Sequence, residues 1–402
     1  MRVGFLTNHD PHNPSLLSGM PHSTWKALEK TGVELVDLSG FDSSRNSRGA
    51  SRNGVGKLIG KPGIGRQVRV VRQRMSEFLL SPWDYQRIVG VAERMSRDAQ
   101  KIVDAGPQVD LYFGVCTARL LYDLRTPAPV VYVSDTTARL INASYHDRAR
   151  RSSGFHRASE VVERAALHNC AVFAATSDRT AQSAINDYDV PPERVRVVEM
   201  GAHVVPGDMP IDPSPPSKDG IELVLVAADP KRKRLGLCVE VAKELRARGW
   251  NATLNFVGPY DPILEGEEAV NWAGRLMLNN PDDRQKHKEL LRRSHWMLLP
   301  STAEAFGIAP AEAAHFGRPS AVTDVGGLPT VVKHGHTGIV LPLEAPAAAY
   351  ADAIIEISGD PARYEAMSQA ALERAHTVLC WDAWGKRMLS IFEEVVAGTA
   401  AV

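Results

Sequence analysis

The stretch that most constrains this chain is PSTAEAFGIAPAEAAHFGRP, residues 300–319. The apolar run Trp296-Met297-Leu298-Leu299 leads into it and reads as a buried strand. Pro300-Ser301 ends the strand, and a loop then carries Glu304. Pro310 suits the first turn of a helix, where a missing N–H costs little. Gly317 suits the position just past the helix end, and Pro319 a stop. A helix N-terminus therefore faces the carboxyl end of a strand, where open α/β sheets bind ligands. Its free N–H groups and dipole favour an anion such as a diphosphate. Glu304 in the loop and Glu312 on the helix would repel that anion, so their presence needs another reason. Sugar and ribose hydroxyls supply one, because a carboxylate accepts strong charge-assisted hydrogen bonds from them. An anion cradle beside two such acceptors fits a nucleotide-sugar. A plainer reading stands beside it on spacing alone: Glu304 as an ordinary loop residue and Glu312 as a solvated first-turn Glu.

The 402 residues suggest two domains. With 47 basic and 47 acidic side chains, nothing global draws the chain to nucleic acid. No apolar run is long enough to span a bilayer. The opening MRVGFLTNHD reads as a first strand rather than a signal peptide. Cys116, Cys170, Cys238 and Cys380 lie far apart in apolar patterns, which suggests neither a disulfide framework nor a metal knuckle. A reducing cytoplasm is the simplest setting.

In chain order, residues 3–6 form a strand, 21–30 a helix and 33–38 a second strand, a βαβ unit without a G-x-G-x-x-G fingerprint. Ser18-Gly19 just before the helix lets backbone approach a ligand, or is plain turn chemistry. Residues 44–75 carry nine Arg and Lys with no acidic residue among them. The plain expectation is a solvated loop leading into a helix. The sharper one is a patch for an anionic acceptor or for peripheral contact with the inner membrane face. A helix is expected over 85–103, strands over 109–113 and 129–133, a helix over 161–167, a strand over 172–175, a helix over 180–188 and a strand over 195–198. Asp135, after the 129–133 strand, is expected as a helix N-cap or as a group aimed into a cleft. Residues 206–220 have the Pro, Gly, Ser and Asp content of a linker. The second half opens with a strand at 223–226, the basic loop Lys231-Arg232-Lys233-Arg234 and a helix closed by Gly249. A basic cluster between a strand end and a helix is a candidate diphosphate clamp. A strand at 254–257 and a helix at 288–295 follow. His334-x-His336 reads as a Gly-rich turn rather than a metal pair, and Asp282-Asp283 as a loop. Trp384, Met388, Ile391, Phe392 and Val395 make an apolar helical stripe near the C-terminus.

Glu304-x7-Glu312 with Phe306-Gly307-Ile308 between, then Gly317-Arg318-Pro319, Gly326-Gly327-Leu328-Pro329 and Gly335-x-Thr337-Gly338, resembles the signature of retaining GT-B glycosyltransferases of family 4, the glycosyl transferases group 1. The resemblance covers much of the C-terminal half and is patchier before it. It implies an α/β fold of two Rossmann-like domains with a cleft between them and a C-terminal crossover helix. The expected division is an acceptor-side domain at 1–205, a linker at 206–219, a donor domain at 220–378 and a last helix at 379–402 packed back on the first domain. A nucleoside diphosphate sugar, with a UDP-sugar favoured, is implied as donor. A glycan, lipid-linked or small-molecule hydroxyl is implied as acceptor, with no cofactor and no metal.

Residue by residue, the resemblance places Lys233 on the donor phosphates, with Gly19 facing them across the cleft. It makes Glu304 the group that orients the transferred sugar and Glu312 the one that holds ribose. Phe306, Gly307 and Ile308 lie at the diphosphate, and the backbone of Arg275 and Leu276 at the nucleobase. The family's phosphate-binding Arg position falls at Ala227 or Ala228 and is vacant, which leaves Arg232 or Arg234 to compensate. Asp135 stands where relatives often carry His near the reacting sugar, and Thr330 where many carry Glu. A nucleotide-sugar epimerase on the same fold and a non-catalytic nucleotide-sugar binder are the alternatives.

Overall fold

The computed structural model describes residues 1–14, 16–39, 66–145, 151–211 and 214–398, with 66–81 as helical backbone. The basic stretch at 44–75 therefore lies outside the described residues up to 65, and beyond that only its backbone enters.

Short apolar runs bounded by turn residues become two six-stranded parallel sheets. The first contains β1 (Arg2–Leu6), β2 (Glu34–Asp37), β3 (Leu111–Val115), β4 (Val130–Ser134), β5 (Val172–Ala175) and β6 (Val195–Val197), ordered β2-β1-β3-β4-β5-β6. The second contains β7 (Ile221–Val226), β8 (Ala252–Val257), β9 (Val270–Gly274), β10 (Trp296–Leu299), β11 (Ser320–Thr323) and β12 (Gly338–Leu341), ordered β12-β11-β10-β7-β8-β9. β3, β4, β5 and β10 are buried along their whole length, as sheets covered on both faces require.

These orders fix where ligands can sit. Strand order reverses between β1 and β3 in the first sheet and between β7 and β10 in the second. Loops leaving the carboxyl ends at such a switch point diverge and open a crevice. The loop after β10 carries Glu304, and the loop after β7 carries the basic cluster.

The helices are α1 (Met20–Glu29), α2 (Arg66–Ala105), α3 (Ala118–Leu121), α4 (Ala138–Ser144), α5 (Ser153–Asn169) and α6 (Asp178–Tyr188) around the first sheet. Around the second are α7 (Leu235–Ala247), α8 (Pro281–Arg293), α9 (Ile308–His315), α10 (Leu328–Val331), α11 (Ala347–Ser358) and α12 (Pro361–Thr377). α13 (Trp381–Val396) crosses back. Its expected apolar stripe meets the first sheet, where the Phe113 ring lies 5.2 Å from Phe392 and 6.2 Å from Trp384. A Cβ on Gly385 would stand 2.8 Å from Ala27 O, so α13 and α1 pack backbone to backbone there. Glu199, just beyond β6, meets Arg387 of α13 at 2.5 Å and Arg374 of α12 at 3.5 Å, tying the crossing to the end of the first domain.

Several local expectations are corrected. The helix expected at 85–103 runs Arg66–Ala105 and takes in Pro82. The one expected at 288–295 runs Pro281–Arg293, because the Asn280 side chain caps it and Pro281 fits its first position. Asp282 and Asp283 thus lie in a helical first turn rather than a loop, where carboxylates suit the helix dipole. Asp135 is not an N-cap, since the Thr137 side chain accepts from Leu140 N at the start of α4. His334 Nδ1 accepts from Val340 N of β12, which ties the turn before that strand to it. Among the described residues, no helix is long and apolar enough to cross a membrane.

Candidate functional site

β10 ends at Leu299 and α9 starts at Ile308, so Glu304 hangs in the loop between them. Gly307 precedes the helix with φ 114, a left-handed conformation that side-chain-bearing residues rarely adopt. The glycine pair after β11 packs directly under this loop. A Cβ on Gly326 would stand 1.4 Å from Glu304 O, and one on Gly327 would stand 2.6 Å from Ala305 O. Gly327 N donates to Glu304 O at 3.3 Å. The carboxylate is thus set by a backbone floor that excludes any side chain.

The basic loop reaches the same carboxylate from β7. Arg232 Nη1 lies 3.0 Å and Lys233 Nζ 3.5 Å from Glu304 Oε2, and Ser301 Oγ donates to that oxygen at 3.4 Å. Arg232 also donates to Ala303 O, and Thr302 N donates to Arg232 O at 2.9 Å. Arg234 takes a different course. Its backbone is left-handed, φ 53, and its guanidinium donates to Leu343 O at 2.7 Å. Of the two candidates for the vacant arginine position, Arg232 joins the site and Arg234 does not. Ala227 is buried and Ala228 exposed beside them.

Across the cleft, the Tyr145 ring at the end of α4 lies under Arg232, 5.4 Å from ring centre to guanidinium. Burial first, then the Glu304 charge, pushes its hydroxyl up to about 12. Asp135 follows β4 from the same side. Burial first, then the charge of Glu304, raises its carboxyl to about 6. The structure therefore brings Asp135, Arg232, Lys233 and Glu304 to one place.

Glu312 makes its contacts elsewhere. It is 4% exposed, accepts from Val204 N at 3.2 Å, and lies 3.6 Å from the buried His287. The solvated first-turn reading is therefore excluded. Phe306 is buried, whereas Ile308 is only partly so. Gly19 is left-handed, φ 80, with its Cβ direction 3.4 Å from His203. Arg275 is exposed and Leu276 half-buried just beyond β9, where Gly258 N donates to Gly274 O. Thr330 bonds Asp178 at the start of α6, donating to its carboxylate at 2.9 Å and accepting from its N–H at 3.0 Å. That is a contact between the two halves rather than a cleft group.

Sequence reasoning missed Tyr145 and also a cavity in the first domain. This cavity, of about 370 Å³, opens beside Asp135 and is lined by Asn8, Thr117, Asn142 and Glu163 among others. Strained backbone was the one local sign: Ser18 and Cys116 on its wall have φ 53 and 48, and such strain collects at functional sites.

Two parallel α/β sheets facing one cleft, with a last helix crossing back, define the GT-B class. Within it, residues 211–374 match the family described as Glycosyl transferases group 1. The chain is 25% identical over 286 residues to D-inositol 3-phosphate glycosyltransferase of Corynebacterium glutamicum, covering 67% of each chain. It is 28% identical over 301 residues to the enzyme of the same name from Kribbella flavida, covering 69% of this chain and 68% of that one. Among solved structures, sucrose-phosphate synthase of Thermosynechococcus elongatus superposes with a TM-score of 0.63 over 99% of both chains at 17% identity. HepE of Anabaena, solved with UDP and glucose, gives 0.59 over 98% of this chain and all of that one at 14% identity.

Proposed function

We propose that this protein is a retaining glycosyltransferase. It moves a hexose from a nucleoside diphosphate sugar, with a UDP-sugar favoured, to a hydroxyl of a glycan, lipid-linked or small-molecule acceptor. The observation that carries the reading is the convergence of Arg232 and Lys233 on Glu304 Oε2 at the N-terminus of α9. Two cations and a helix N-terminus at one switch point suit a diphosphate, and a carboxylate among them suits sugar hydroxyls. The names of the relatives support the same reaction class.

In the transition state the anomeric carbon becomes oxocarbenium-like while negative charge grows on the departing diphosphate. Arg232, Lys233 and the N–H groups near Gly307 and Ile308 stabilise that charge without reorganising. Glu304 exchanges its ion pairs for sugar hydroxyls and orients the ring. Glu312 takes the ribose hydroxyls with Oε2 while Oε1 stays on Val204 N–H. Gly19 faces the phosphates from the first domain, and the backbone at Arg275 and Leu276 meets the base. The leaving phosphate helps to deprotonate the acceptor on the same face, with Asp135 beside it. Neither a metal nor another cofactor takes part, and the setting is the cytoplasm.

The test is incubation of the protein with UDP-sugars and a hydroxyl acceptor panel, followed by mass analysis. Transfer, or slow donor hydrolysis, is expected. Lys233→Ala and Glu304→Ala should each lower turnover at least about tenfold, the loss of one charged contact in a dry site. Near-wild-type rates in both would refute the assignment.

A further inference from the structure

Three residues that line the first-domain cavity, Asn8, Thr117 and Asn142, carry buried polar atoms that the protein leaves unmatched. Thr117, 3% exposed, stands where it could cap α3 but makes no side-chain cap, and its Oγ1 is buried without a partner. Asn142, 5% exposed, has a buried Oδ1 without a partner. The orientation of this amide follows from its neighbour. Ser159 Oγ gives its single proton to His156 O at 2.9 Å, so at 2.8 Å from Asn142 it must accept from Nδ2. The carbonyl end of Asn142 is then the end left unpaired. Asn8 Oδ1 is likewise buried and unpaired. Such groups cost free energy in an interior and are normally satisfied by something.

A fourth group joins them. Glu163, 8% exposed, lies one helical turn beyond Ser159 on α5, and Tyr132 donates to its Oε1 at 3.3 Å. Burial above all raises its carboxyl to about 8. Three of the four groups offer oxygen acceptors, and the hydroxyl of Thr117 can accept or donate. Met20, Ile88, Phe155 and Val162 add apolar lining, the last two from α5 itself. Among the described lining residues Arg119 is the one cation, and it is exposed.

We propose that this cavity is the acceptor subsite and that it takes the ring of a small, uncharged polyol. Glu163, Asn142 and Thr117 receive its hydroxyls, and Asp135 faces the hydroxyl that reacts. The chemistry selects that class. A ring polyol has hydroxyl donors for these oxygens and C–H groups for Met20, Ile88 and Phe155. An anionic group there would meet the ionised Asp135 and the acceptor oxygens of Asn142 and Asn8, with Arg119 the one cation among the described lining residues and exposed. The inference rests on the glycosyltransferase reading for the word acceptor, but not for the polyol.

The experiment is saturation-transfer NMR on the full chain with myo-inositol, methyl α-D-glucoside and 1,5-anhydroglucitol, with inorganic phosphate as competitor. Glu163→Gln and Asn142→Ala are compared with wild type, and thermal melting checks that each variant folds. UDP binding, measured separately, reports on the donor site. At least one neutral ring should bind wild type, should resist displacement by phosphate, and should lose at least about fivefold in affinity in Asn142→Ala. Glu163→Gln keeps an acceptor oxygen and should weaken binding less. The proposal is overturned if none of the three rings binds, if phosphate displaces the ring, or if folded Asn142→Ala binds like wild type. Polyol binding without UDP binding would instead count against the glycosyltransferase reading.

Discussion

Arg232 holds its guanidinium 3.0 Å from the Glu304 carboxylate, while Arg234, two residues on, donates to Leu343 O. The resemblance leaves the phosphate-binding arginine position vacant at Ala227 or Ala228, and Arg232 of the same loop is the replacement proposed here. Arg232→Ala should therefore lower kcat/KM by about tenfold to a hundredfold, the range for one preorganised donor. Arg234→Ala should cost less than about threefold. Steady-state kinetics on the two variants checks this, and equal losses would contradict it.

Tyr145 places its ring across the cleft, 5.4 Å from the Arg232 guanidinium. Tyr145→Phe keeps the ring under the cation, whereas Tyr145→Ala removes it. A cation–π contact of this kind contributes about 0.5–2 kcal/mol. Donor KM should therefore rise severalfold further in Tyr145→Ala than in Tyr145→Phe.

Asp135 sets an acid limb. Its carboxyl, raised to about 6 by burial and by Glu304, is protonated below that pH. If the ionised form serves the acceptor hydroxyl, kcat/KM falls as pH drops through about 6. Asp135→Asn should lower the plateau and abolish that limb in a pH–rate profile.

Glu163 should cost stability at high pH. Its folded value of about 8 lies above the ordinary 4.5, so the folded chain retains a proton that the unfolded chain releases. Below 4.5 both states are protonated and nothing is lost. Between 4.5 and 8 stability falls as pH rises, with a limiting slope of about 1.4 kcal/mol per pH unit. Glu163→Gln keeps an acceptor for Tyr132 and removes the titration. Its advantage over wild type in chemical denaturation should grow across that window and level off above it.

Gly326 supports the Glu304 loop by having no side chain. With φ +51 and a Cβ position 1.4 Å from Glu304 O, Gly326→Ala must displace the loop. A stability loss of about 2 kcal/mol or more is expected. Activity in the folded fraction should fall by at least about tenfold, as checked by melting and kinetics on the same preparation.

What the sequence disclosed followed the range of its interactions. The strand, loop and helix around Glu304 were legible because Pro310, Gly317 and Pro319 act locally on the backbone. The last helix was legible because its stripe of Trp384, Met388 and Phe392 repeats at helical spacing. The choice between Arg232 and Arg234 was not, since it depends on a left-handed turn at Arg234 that no glycine or asparagine announces. The burial of Glu312 was hidden because its partners, Val204 and His287, come from other segments. The first-domain cavity was the least visible. Asn8, Thr117, Asn142 and Glu163 lie on four separate segments, each looks like an ordinary polar residue there, and only the sheet order gathers them.

The most direct test of the central claim is calorimetric titration of UDP, GDP, ADP and dTDP into the wild-type chain and Lys233→Ala, without added metal. The account predicts that one nucleotide, UDP first, binds clearly tighter than the others and that Lys233→Ala weakens it at least about tenfold, as loss of a charged phosphate contact should. If no nucleotide binds wild type above background, the donor-site role of Arg232, Lys233 and Glu304 is contradicted.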